Sequence, residues 1–171
     1  QENPLSSLSN DYTFDLCTDD KDNLWVATAH GVTRVNLLQR SFYSYFSAEG
    51  NDNSLSNNTI NTIHCSYDKR VWAGTNNGLN IYLPAKDCFK PVLTDKDIPF
   101  LSISAISSVK PGEIWFSSNA GIVRFTYSAT PDSVLQSGFT IFDRSDGLFS
   151  STFFPRSNAV GKNGLLYFGV N

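Results

Sequence analysis

The stretch SLSNNTINTIHCSYDKRVWAGTNNGLNIYL, residues 54–83, decides the fold. A short apolar and β-branched run, Thr59–Ser66, reaches a polar turn, YDKR. A second run carries Trp72, and NNG interrupts it before a third run, LNIYL. A fourth, CFKPVL, follows. Short β-branched and aromatic runs separated by Asn, Asp, Gly and Pro read as hairpin-linked strands. Asn tolerates positive φ and Gly adopts it freely, as tight hairpins require, so Gly78 is a turn glycine.

The same phrase recurs. SLSN stands at 7–10 and again at 54–57, each time 18 residues before a tryptophan. The alignment continues through Trp25, Trp72, Trp115 and, with a substitution, Tyr167. A glycine follows six positions after each of the three tryptophans, at Gly31, Gly78 and Gly121, and Thr28, Thr75 and Ser118 stand at the third position after it. Gly169 closes the last unit. Four strands in about 40–50 residues is the size of one propeller blade. The chain therefore reads as an all-β protein, a partial β-propeller over 1–171 built of blades of four antiparallel strands. Three blades, at about 7–46, 54–94 and 98–143, precede the first half of a last one, about 146–171. The inner strand lies before each Trp, and the Trp itself packs between neighbouring blades. Three and a half blades leave open strand edges, which the remainder of a parent propeller or a second copy would cover.

Composition narrows the functions. The net charge of −3, without a Lys/Arg cluster, argues against a nucleic-acid footprint. No apolar run approaches the ~18 residues of a membrane span. The chain starts at Gln1 and holds no methionine, which reads as an excised or processed segment. Cys17, Cys65 and Cys88 show no metal-binding spacing. Cys17 and Cys65 stand at nearly matching repeat positions inside apolar stretches; buried free thiols are expected, with a disulfide as the alternative. No metal or cofactor is expected.

Residues Val71, Trp72, Gly74, Thr75, Gly78 and Leu79 resemble the core of the two-component regulator propeller repeat. The first unit departs from it at Ala27, the third at Phe116 and Ser117. The final stretch, with Asp146, Gly147, Leu148, Phe153, Gly164, Leu166, Tyr167, Phe168 and Gly169, resembles the last blade of such propellers. The resemblance implies a periplasmic sensing segment of a hybrid two-component receptor, often dimeric. An oligosaccharide would be its ligand and polysaccharide utilisation its output, with the kinase elsewhere in the parent chain.

Within the segment no catalytic residue is expected. Thr18, Asp20, Asp22 and Trp25 come close to the Asp-box turn of sialidases, but a glycosidase would need a carboxylate pair or a Tyr nucleophile with cationic clamps. His64 reads as a hydrogen-bonded inner-strand residue. His30, Asn76, Asn77 and Asn119 occupy the turns after the second strand, where amides and an imidazole could face a sugar; these are the rim candidates. A structural or protein-interaction propeller is the alternative reading, and a sialidase-like glycosidase the remote one.

Overall fold

The structure is a computed structural model, and it describes residues 7–170. Three sheets each hold four antiparallel strands in simple meander order. The first contains β1 (Thr13–Thr18), β2 (Asn23–Thr28), β3 (Gly31–Asn36) and β4 (Ser41–Tyr45). The second contains β5 (Ile60–Cys65), β6 (Val71–Thr75), β7 (Gly78–Leu83) and β8 (Cys88–Leu93). The third contains β9 (Ile103–Ser107), β10 (Glu113–Ser118), β11 (Gly121–Ala129) and β12 (Val134–Phe142). A single 3₁₀ turn, Arg144–Asp146, leads to a two-stranded sheet of β13 (Phe153–Val160) and β14 (Leu166–Val170). These are propeller blades, as the repeat predicts.

The first strands of successive blades lie side by side and are bonded across each seam. The Asp15 carboxylate accepts from Thr62 Oγ1 at 2.8 Å and from the Ile63 amide at 3.0 Å. His64 Nε2 lies 2.9 Å from Ser108 Oγ, and Asn158 Nδ2 donates to Ile106 O and Ser107 Oγ. The apolar core sits in the seams rather than inside any sheet. One cluster joins Trp25, Val32 and Ile60 to Val71, Tyr82 and Phe89 between the first two blades. The other joins Trp72, Leu79 and Ile81 to Ile103, Phe116 and Phe125 between the second and third.

Each seam is built around the tryptophan. Trp25 is fully buried, with Tyr82 at 4.6 Å and Phe89 at 5.9 Å from the next blade. Trp72 is fully buried against Phe125 and Tyr127. Trp115 departs from the expected packing. It is half-buried and stacks at 5.7 Å on Phe142 of its own blade. Tyr167 is 53% exposed. The last blade's two described strands bring no aromatic pair like Tyr82 and Phe89 over Trp115.

Two backbone rules recur. The residue three positions before the Trp or Tyr takes positive φ in every unit: Asp22 (57°), Lys69 (64°), Gly112 (72°) and Gly164 (78°). At Gly78 (φ 116°) a β-carbon would collide with the Leu93 carbonyl oxygen, because the end of β8 crosses directly over the turn. Gly31 and Gly121 meet the ends of β4 and β12 in the same way.

The cysteines correct the expectation of free thiols. Cys17 and Cys65 form a disulfide, with Cα atoms 5.9 Å apart, inside the usual ~4.4–6.8 Å range. The near-equivalent positions of adjacent units are the reason: seam-facing residues of neighbouring inner strands meet. Cys88 is free and half-buried.

Three outcomes follow for stability. Replacing Cys17 and Cys65 by serine should cost about 4 kcal/mol, the closure entropy of a loop whose ends are 48 residues apart; a denaturation midpoint insensitive to reductant would contradict the bond. Gly78→Ala should cost about 3 kcal/mol in the same measurement, through the blocked approach of Leu93. Lys69→Gly should raise stability by about 1 kcal/mol by relieving the left-handed backbone.

Candidate functional site

The turns after the second strands define one face of the blades. Each is closed by the Thr or Ser three residues after the aromatic. Thr28 Oγ1 donates to Gly31 O at 2.8 Å and accepts from the His30 amide at 3.1 Å. Thr75 repeats both bonds with Gly78 and Asn77, and Ser118 repeats them with Gly121 and Ala120. This accounts for the Thr/Ser periodicity.

The four rim candidates lie on that face, but the structure gives each its own local task. Asn119 uses both ends of its amide: Oδ1 accepts from the Ser102 amide and Nδ2 donates to Phe100 O. Asn77 Oδ1 accepts from the Asp95 amide. The exposed His30 ring lies 5.4 Å from Phe46. Asn76 alone is tied toward the inner strands: its Oδ1 accepts from Asn61 Nδ2 at 2.9 Å and from Ser102 Oγ at 3.4 Å. Sequence reasoning missed Asn61 and Arg156 beside it. Arg156 Nη1 donates to Asn61 O at 3.2 Å, and its guanidinium stands 5.6 Å from the Phe14 ring. Nothing in the last unit's degenerate phrase marks Arg156. His64, on the inner strand, has its pKa pushed down to about 4 by burial, against the opposing pull of Asp15. Its imidazole is neutral near pH 7 and acts as a hydrogen-bonding strand residue.

The opposite face carries the hairpin tips between first and second strands. Asp19, rather than Asp20 or Asp22, closes the first tip. Its carboxylate accepts from Trp25 Nε1 at 2.8 Å, from Asn23 Nδ2 at 2.9 Å, and from the amides of Lys21 and Asn23. Burial opposes that charge, yet these bonds hold the Asp19 carboxyl below the ordinary range. Asp22 takes the left-handed backbone position of the tip, with φ of 57°. In the second unit Ser66 Oγ accepts from Trp72 Nε1 at 3.3 Å, and in the third Glu113 accepts from Trp115 Nε1 at 2.8 Å. The Asp-box likeness is thus a structural turn.

Between the tips of the first two blades lies a cavity of about 220 Å³ lined by Asp19, Asp20, Lys21, Arg34, Lys69, Arg70 and Tyr82, among others. Arg34 forms its inner wall, donating to Tyr82 Oη at 2.5 Å and to Asp87 at 3.0 Å. Tyr45 and Tyr82 also donate to Asp87. Burial pushes both phenols up, and Asp87 adds to it. Burial works against the charges of Arg34 and Asp87, but the cluster holds the guanidinium above and the carboxyl below their ordinary values. A phenol so disfavoured as an anion is poorly suited to attack a glycoside. Arg124, the repeat equivalent of Arg34, turns instead to Glu113 of its own blade at 2.6 Å.

Comparison with known proteins agrees with this architecture. The family model of the two component regulator propeller matches residues 7–30 and 54–77. Histidine kinase P4 of Formosa agariphila is 30% identical over 88% of this chain, which spans 14% of that protein. Two solved extracellular domains assigned to hybrid two component systems of B. thetaiotaomicron share the fold. BT3049 matches with TM-score 0.72 and 24% identity, over 99% of this chain and 22% of its own. BT4673 matches with TM-score 0.66 and 22% identity, over 95% of this chain and 20% of its own. The phrase that sets Trp25 and Trp72 with their turns thus lies in two stretches, 7–30 and 54–77, that match the two component regulator propeller.

Proposed function

We propose that the chain is a non-catalytic segment of the extracellular sensor of a hybrid two-component receptor, that it lies in the periplasm, and that it responds to an oligosaccharide and so regulates polysaccharide use. The observation that supports the reading is the match of the repeat phrase to the two component regulator propeller and of the blades to extracellular domains assigned to such systems. The Cys17–Cys65 disulfide supports an oxidising compartment. In this reading the kinase lies elsewhere in a longer, dimeric parent. Other blades cover the apolar flank of the first blade, a space of about 640 Å³ walled by Phe14, Leu16, Leu24, Val26 and Phe42.

That flank also favours a second reading, in which the segment transmits a signal or holds a partner rather than touching the ligand. Leu16 is 64% exposed there and Phe14 38%. The two readings separate in one experiment. A thermal-shift screen of the protein against neutral and acidic oligosaccharides should give one responding class, with roughly 2.7 kcal/mol of stabilisation at 100 times the dissociation constant. If no glycan moves the midpoint, the segment does not contact the signal and the second reading holds.

A further inference from the structure

Two of the four repeat units place a non-glycine at the left-handed position before the aromatic, and both flank the same cavity. Gly112 and Gly164 occupy it without strain in the later units, whereas Asp22 and Lys69 hold φ of 57° and 64° in the first two. Lys69 and Lys21, the neighbour of Asp22, both line the 220 Å³ seam. A side chain kept in a disfavoured backbone state is an observation from which function can be argued.

The charges of the seam point the same way. Its lining carries Lys21, Arg34, Lys69 and Arg70 against Asp19 and Asp20, in a chain whose net charge is −3. Three of these six are already committed. Arg34 pairs with Asp87 and Arg70 with Asp68, and Asp19 is filled by Trp25 and Asn23. Arg70 also donates to the carbonyls of Ala129 and Thr130, which fixes the wall. Lys21 and Lys69 have no carboxylate partner among the described residues, and Asp20 accepts no hydrogen bond there. The exposed ammonium groups of Lys21 and Lys69 and the exposed Asp20 carboxylate therefore rim an open cleft of about 220 Å³, room for a sugar ring.

We propose that this seam binds a single acidic sugar unit, a uronate or a sulfated residue at the end of an oligosaccharide. The acid group sits between Lys21 and Lys69 and ring hydroxyls donate to Asp20. A bare anion satisfies the lysines but leaves Asp20 as an opposing charge; a neutral sugar satisfies Asp20 and leaves both lysines without an anion. The site rests on the sensor reading above and adds its place and ligand class. Because the two tips belong to different blades, a ligand held by both bridges them.

The test is calorimetric titration of the protein with glucuronate, galacturonate, a sulfated monosaccharide, their neutral parents and inorganic sulfate, repeated with Lys21→Gln and Lys69→Gly. At least one acidic sugar should bind tenfold or more tightly than its neutral parent and than sulfate, and each variant should weaken it at least tenfold. The uronate and sulfate-ester arms tell which acid group the site takes. Lys69→Gly is the informative variant, since its thermal midpoint should rise while its binding falls, which a purely structural lysine would not produce. Sulfate as tight as the sugars, equal binding of neutral parents, or binding untouched by both variants would overturn the seam site. If the neutral parents bind and the variants are indifferent, or if no titrant binds while an oligosaccharide moves the thermal midpoint, the sensor reading survives and the seam fails; if no sugar acts in either experiment, the seam fails and the signal-transmitting reading holds.

Discussion

A buried tryptophan reaching from one sheet into the next is the contact on which the remaining architecture depends. A single blade of four short strands has two apolar faces and no interior of its own. Trp25 and Trp72 solve this by lending an indole to the neighbour, where aromatic side chains from its third strand, and for Trp25 also its fourth, close around it. Burial of a Trp or Phe of this size is worth about 3–5 kcal/mol by truncation. Most other regularities follow from holding that indole in place: the carboxylate or hydroxyl beneath its N–H, the left-handed residue in the tip before it, and the glycine that lets the outer strand cross the turn.

This is why so much of the fold is legible in one sequence. Repetition converts weak local signals into a strong one, since Gly31, Gly78 and Gly121 answer to the same steric demand at the same offset. Details that rest on which of two adjacent residues turns inward are less legible. Asp19 and Asp20 are chemically identical in the sequence, and only backbone geometry decides that Asp19 receives the indole N–H. The cysteines show a related limit. Their repeat positions were visible, but their pairing depends on the distance between neighbouring blades, which no pattern within one blade encodes.

The candidate site was far less legible than the fold. The rim residues His30, Asn76, Asn77 and Asn119 sit in turns after second strands, which share a face. The structure then engages each amide in local hydrogen bonds, and Asn119 uses both ends of its side chain. The seam between the first two tips could not be anticipated, because its walls come from residues far apart in sequence that meet only once blades dock. Arg34 and Arg124 are equivalent in the repeat yet bond to different blades.

The left-handed tip position has an evolutionary consequence. It accepts Gly in two units, Asp in one and Lys in another, and the penalty for a side chain there is about 1 kcal/mol. A gene that duplicates such units can therefore let single tips diverge while the indole contact stays fixed. Novelty in chemistry is then confined to a few residues per copy, and a lineage can acquire a new ligand without renegotiating its fold.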